Sequence, residues 1–128
     1  MEQDKYNPEK APDPEAWLEL DEFERIDLIQ SFIEMNETDV PEEAKRLHAA
    51  IHAAVENQLA MAIEPAPETV TRLVRQGLTR HDAVHAVGAV LSGDIYEMMN
   101  GTTKKWNRQH YDQRLKKLTA KRWRKGKW

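Results

Sequence analysis

Leu47-His48-Ala49-Ala50-Ile51-His52-Ala53-Ala54-Val55-Glu56-Asn57-Gln58 decides how this chain is read. Leu47, Ile51 and Val55 recur every fourth residue among alanines, which is the apolar period and the composition of a helix. His48 and His52 share one face of that helix, and Glu56 follows them one turn later. A second stretch, Arg80-His81-Asp82-Ala83-Val84-His85-Ala86-Val87-Gly88, repeats the spacing with His81 and His85. Two helices, each offering two imidazoles from one face, make an all-α protein with a histidine site between helices the leading expectation.

The flanking sequence is helical too. Asp13-Pro14 supplies an N-cap acceptor and a proline at the first helical position, and Trp17, Leu18, Phe23, Ile26, Ile29 and Ile33 carry a helix over 14–35. Asp39-Val40-Pro41 opens the histidine helix, predicted to run to Ile63, where Pro65 and Pro67 stop it. A short helix over 67–76 turns Val70, Leu73 and Val74 inward, with Gly77 placed for a left-handed cap. Thr79 and Asp82 form a capping-box variant that starts the next helix at Arg80, and Asn100-Gly101 closes it. The fold class is therefore an all-α helical bundle of four core helices, with an additional basic C-terminal helix. Residues 1–12, holding Pro8 and Pro12, read as a disordered leader, 13–101 as the helical domain and 102–128 as a basic helical tail.

Composition narrows the chemistry. The chain has 128 residues, enough for one domain, and no cysteine, so thiolate sites, disulfides and cysteine nucleophiles are excluded. No apolar run approaches the roughly 20 residues of a membrane span, and the first residues lack a signal-peptide pattern, which makes the cytoplasm the expected location. The net charge of −3 conceals an acidic stretch over 1–43, with 15 acidic and 3 basic side chains, and a basic one over 104–128, with 11 basic residues against Asp112 alone.

With Leu47 at zero, the apolar arc runs through Ile51 and Val55 to Leu59 at about 120°, so His48, at about 100°, falls inside it, and His52 and Glu56 lean toward its edge at about 140° and 180°. If the intervening short helix doubles back, its descent of about 15 Å brings His81 and His85 level with His52 and Glu56. His48, His52, His81 and His85 are then candidate metal ligands, with Glu56 a fifth ligand or an acceptor that orients a histidine. A nitrogen and oxygen donor set suits zinc, iron, manganese or nickel. The alternative is a metal-free polar network that fixes helix register. His-Glu-x-x-His is absent, and Asp82-Ala83-Val84-His85 only approaches the Glu-x-x-His of di-iron bundles. No nucleophile, phosphate loop or cofactor fingerprint accompanies the histidines, so binding is expected before catalysis.

The two histidine stretches resemble an uncharacterised bacterial family of small helical proteins, a domain of unknown function. The similarity extends weakly to Trp17 and to 22–29 and so covers roughly 14–100. It implies a bacterial, all-helical, histidine-paired domain, and carries over to His48, His52, Glu56, Gln58, His81 and His85 alone.

The tail offers a second function. Lys104, Lys105, Arg108, Arg114, Lys117, Lys121 and Arg122, interleaved with Trp106 and Trp123, combine phosphate-neutralising cations with rings that stack on bases. The tail would then bind nucleic acid, an RNA or the ribosome, or an acidic partner. It serves equally as a solvated helix or one lying on the acidic first helix, the reading that an isoelectric point near 6.0 favours. The apolar first helix suits the core or a homodimer interface, and no membrane role is expected because the apolar strip of Tyr111, Leu115 and Leu118 is narrow.

Overall fold

The computed structural model describes residues 5–101 and 105–128. Lys104, a candidate cation of the tail, lies outside them. Among the described residues there are seven α-helices and no strand: α1 (Pro14–Glu19), α2 (Glu22–Asn36), α3 (Lys45–Ala60), α4 (Ala66–Arg75), α5 (Arg80–Asn100), α6 (Arg108–Lys117) and α7 (Ala120–Arg124). The all-α bundle expected from the sequence is the fold. No helix among the described residues is long and apolar enough to cross a membrane.

The first predicted helix is two helices. The Asp21 side chain caps α2, accepting from the Glu24 backbone N–H while the Glu24 side chain accepts from the Asp21 backbone N–H, and Leu20 is extended. This reciprocal cap is worth more at a helix start than in a helix interior, so the chain breaks there. Arg25 then binds the carbonyls of Trp17 and Leu18 at the C-terminal end of α1, where the Trp17 carbonyl also accepts from the Leu20 N–H. The histidine helix begins later than expected, because Glu42–Ala44 form a 3₁₀ turn before α3. Gly77, at φ 108, ends α4 as anticipated, with Leu78 N–H donating to Leu73 and Gly77 N–H to Val74.

Two apolar clusters share α3. One joins α3, α4 and α5 to the tail through Val55, Leu73, Val84, Val87, Val90, Tyr111, Leu115 and Leu118. The other gathers Tyr6, Trp17, Ile29, Ile33, Ala49 and Ala53. The tail therefore does not lie on the acidic first helix. It packs on α4 and α5 as two short helices, because Tyr111, Leu115, Leu118 and Ala120 are buried there, and Arg72 binds the Leu115 and Leu118 carbonyls between α6 and α7. Trp17, Ile29 and Ile33 enter the core, so most of the apolar face considered for a homodimer is spent within the chain, although Phe23 stays 71 % exposed.

Residues 5–12, expected to be disordered, are held in place. Tyr6 is 6 % exposed and its hydroxyl donates to buried Glu56, while Arg80 donates to the Pro8 carbonyl at 2.9 Å. A ring worth burying and a carboxylate that needs a donor outweigh the polar composition of the leader.

The contact between α3 and α5 is close at Gly88. A Cβ there would stand 3.2 Å from Ile51 Cγ2 and 3.7 Å from Val55 Cγ2. Leucine at position 88 is expected to lower stability by about 1–3 kcal/mol by wedging the helices apart, read as a lower urea midpoint. An unchanged midpoint would show that this contact does not set the helix spacing.

Candidate metal centre

The buried face of α3 is Ala49, His52, Ala53, Val55 and Glu56, whereas Leu47 is 66 % exposed. The buried arc is thus rotated from the expected one, which runs from Leu47 to Leu59. Ala49 and Ala53 allow close approach of the second cluster, and this carries His52 and Glu56 inward. His52 is 3 % exposed, and the side chains of His48 and His81 are 21 % and 23 % exposed. On α5, Val84 and Leu91 are buried as expected, His81 and His85 flank them, and Asp82 is exposed.

The two pairs meet. Ring centres lie 4.8 Å apart for His48 and His52, 5.1 Å for His48 and His85, and 5.2 Å for His52 and His85. His81 stands further off, 6.0 Å from His52 and 6.2 Å from His85. One ligand atom from each of His48, His52 and His85 falls within 4.8 Å of the other two. In imidazoles sharing one tetrahedral ion, with metal–nitrogen bonds of about 2.05 Å and ring centres about 1.1 Å beyond, the centres sit about 5 Å apart. The ring centres are therefore spaced as around a shared ion, while the nitrogens, grouped within 4.8 Å, would have to draw in to the edge of about 3.4 Å that such a site needs.

Their hydrogen bonding is incomplete. Neither ring nitrogen of His52 has a partner, nor does His48 Nε2, although these atoms are buried. Burial, followed by the charges of His48, His85 and His81, lowers the His52 pKa from 6.5 to about 3. Burial, followed by His48, also lowers His85. The deepest imidazole is held neutral, and neutral imidazole is the form that binds metal.

Glu56 is elsewhere. Arg80 clamps it through two bonds, Nη2 to Oε1 at 2.8 Å and Nη1 to Oε2 at 2.9 Å, and Tyr6 adds a third donor. Its partner is the residue before the second pair rather than the pair itself. Burial, then the Glu56 carboxylate, raises the Tyr6 hydroxyl well above 10.0, so it remains a donor. Gln58, also carried by the resemblance, accepts from the Tyr111 hydroxyl at 2.8 Å and fastens α6.

The carboxylate beside the histidines is Glu37, which sequence reasoning missed. It caps the C-terminal end of α2, with Oε1 3.0 Å from His81 Nε2 and Oε2 3.4 Å from His48 Nε2. No periodicity links it to either pair. Phe32 meets the His81 ring edge-on at 5.7 Å, and Trp123 lies 5.9 Å from His85, closing the two sides of the cluster.

Of the tail's candidate residues, several are engaged in the fold. Arg108 binds the Glu64 carbonyl, Arg114 binds Asp94 at 2.6 Å and the Trp128 carbonyl, and Trp123 packs on Trp128. Lys105, Trp106, Lys117, Lys121 and Arg122 are exposed. In a second cluster, Asp94, Glu97 and His110, the Arg114 guanidinium already serves the two carboxylates as a cation. Comparison of the chain with protein-family models, with curated proteins and with solved structures found no match.

Proposed function

We propose that this protein binds one transition-metal ion between α3 and α5 through His48, His52 and His85. The observation that carries this reading is His52, 97 % withdrawn from solvent with two unpartnered nitrogens and a ligand atom from each of two further imidazoles within 4.8 Å. A buried polar atom without a partner costs about 1–3 kcal/mol, and a metal ion would satisfy the lone pair that no protein donor reaches. A polar network that only fixed helix register would be expected to hydrogen-bond its central member, and His52 has no such bond. With imidazole nitrogen and no thiolate, the set suits zinc, iron(II), manganese or nickel rather than copper(I).

Zinc titrated into metal-free protein against a chromophoric chelator is expected to saturate at one ion per chain. The His52→Ala/His85→Ala variant is expected to lose at least about 100-fold in affinity, since two of three ligands are gone. Equal affinity in the two proteins would place zinc elsewhere and remove the basis of the proposal.

A further inference from the structure

We infer that Glu37 is the fourth ligand of this ion and that His81 is the residue that positions it. The inference rests on the three-histidine reading above and names what completes it. His48 Nε2 and Glu37 Oε2 are both buried, both lack a hydrogen-bond partner, and stand 3.4 Å apart. Two atoms so placed gain little from each other when the imidazole is neutral and its nitrogen presents a lone pair toward a carboxylate. A cation between them resolves the conflict. With bonds of about 2.05 Å to nitrogen and about 2.1 Å to oxygen, the edge of a tetrahedral zinc site is about 3.4 Å, the separation observed for this pair.

The other carboxylate oxygen is committed. Glu37 Oε1 meets His81 Nε2 at 3.0 Å, so His81 fixes the carboxylate plane and leaves Oε2 facing His48. This accounts for four histidines of which only three gather within 4.8 Å: the fourth acts through Glu37. Glu37 lies outside the 4.8 Å group, and its side chain closes inward on the ion together with the three imidazoles, whose nitrogens must also draw in to about 3.4 Å.

Three imidazoles and one carboxylate fill a tetrahedron. The site is then a closed structural centre for a borderline divalent cation, with no position left for an activated water, and it ties the end of α2 to α3 and α5. Phe32 and Trp123 on its flanks fit that role by shielding it.

The test uses zinc and cobalt(II) with the full chain, following zinc affinity by chelator competition and coordination by the cobalt(II) absorption spectrum. The parent is expected to give a four-coordinate cobalt spectrum that added azide leaves unchanged. Glu37→Gln is expected to lose about 100-fold or more in zinc affinity and to change the spectrum, because an oxygen ligand is replaced by a weaker one. His81→Ala is expected to lose about 10-fold while keeping four-coordination, with recovery in His81→Gln, which retains a donor for Oε1. Should Glu37→Gln fail to fold by circular dichroism, Glu37→Asp serves: its carboxylate is one methylene short, and a weaker site with an altered spectrum is expected. If the parent binds one ion and Glu37 variants bind it equally with the same spectrum, or if azide alters the parent's spectrum, Glu37 is not the fourth ligand and the three-histidine site stands alone. If the parent binds no ion, both readings fall.

Discussion

Arg80→Ala is expected to be among the most destabilising single changes in this protein, lowering the unfolding free energy by about 3–5 kcal/mol. Glu56 is 1 % exposed, and two of its three donors are the Arg80 guanidinium nitrogens, so the truncation strands a carboxylate in the core with only Tyr6 beside it. The loss also frees the Pro8 carbonyl and hence the leader that Tyr6 anchors. In a domain whose total stability is about 5–15 kcal/mol, that is a large fraction. The effect belongs to the unpaired charge rather than to the pair itself, and the double variant Arg80→Met/Glu56→Leu should therefore recover most of the deficit. Urea denaturation at neutral pH measures both. A single variant within about 1 kcal/mol of the parent would mean that water reaches Glu56, contrary to its burial.

Acid is expected to destabilise the metal-free protein through His52. Its folded-state pKa is about 3, against 6.5 unfolded. As pH falls below 6.5 the unfolded chain takes up a proton that the folded chain refuses, so this contribution to stability is complete above 6.5 and is lost progressively down to about 3. Each pH unit in that window costs about 1.4 kcal/mol, and the full span costs about 5 kcal/mol. His85, also lowered, adds in the same direction. Carboxylates titrate lower, so the clean comparison lies between pH 6.5 and 5, where the parent should lose about 2 kcal/mol more than His52→Leu. Parallel urea midpoints across that interval would show His52 to be hydrated.

How much of this was legible in the sequence varies by element. The helices over 66–75 and 80–100 announced themselves, because Gly77 and Thr79 are local signals whose chemistry needs nothing distant. The break at Leu20-Asp21 is also written locally, in Asp21 and Glu24, but the apolar period runs across it and masks the cap. The two histidine pairs were visible, and the structure does bring them together. Their depth was misjudged: Leu47 looks like core and is exposed, while alanines at 49 and 53, silent on a hydrophobic scale, mark the face that is buried. Glu56 was placed with the histidines by spacing alone, and the Arg80 that claims it comes from another helix. Glu37 carries no periodic signal, since it caps a helix 44 residues before the imidazole it binds. The leader was read from its prolines and polar composition and the tail from its charge, while Tyr6, Tyr111 and Leu115, few among polar neighbours, decide where they pack.

The central claim is that the histidines hold a metal ion, and elemental analysis by plasma mass spectrometry tests it most directly, on untagged protein purified without chelator and on His52→Ala/His85→Ala prepared alongside. The account expects close to one equivalent of a single transition metal in the parent and essentially none in the variant. A parent that carries no metal as purified and acquires none from zinc, iron(II), manganese or nickel would contradict it, and His48, His52 and His85 would then be a buried network whose open nitrogens belong to the packing of α3 on α5.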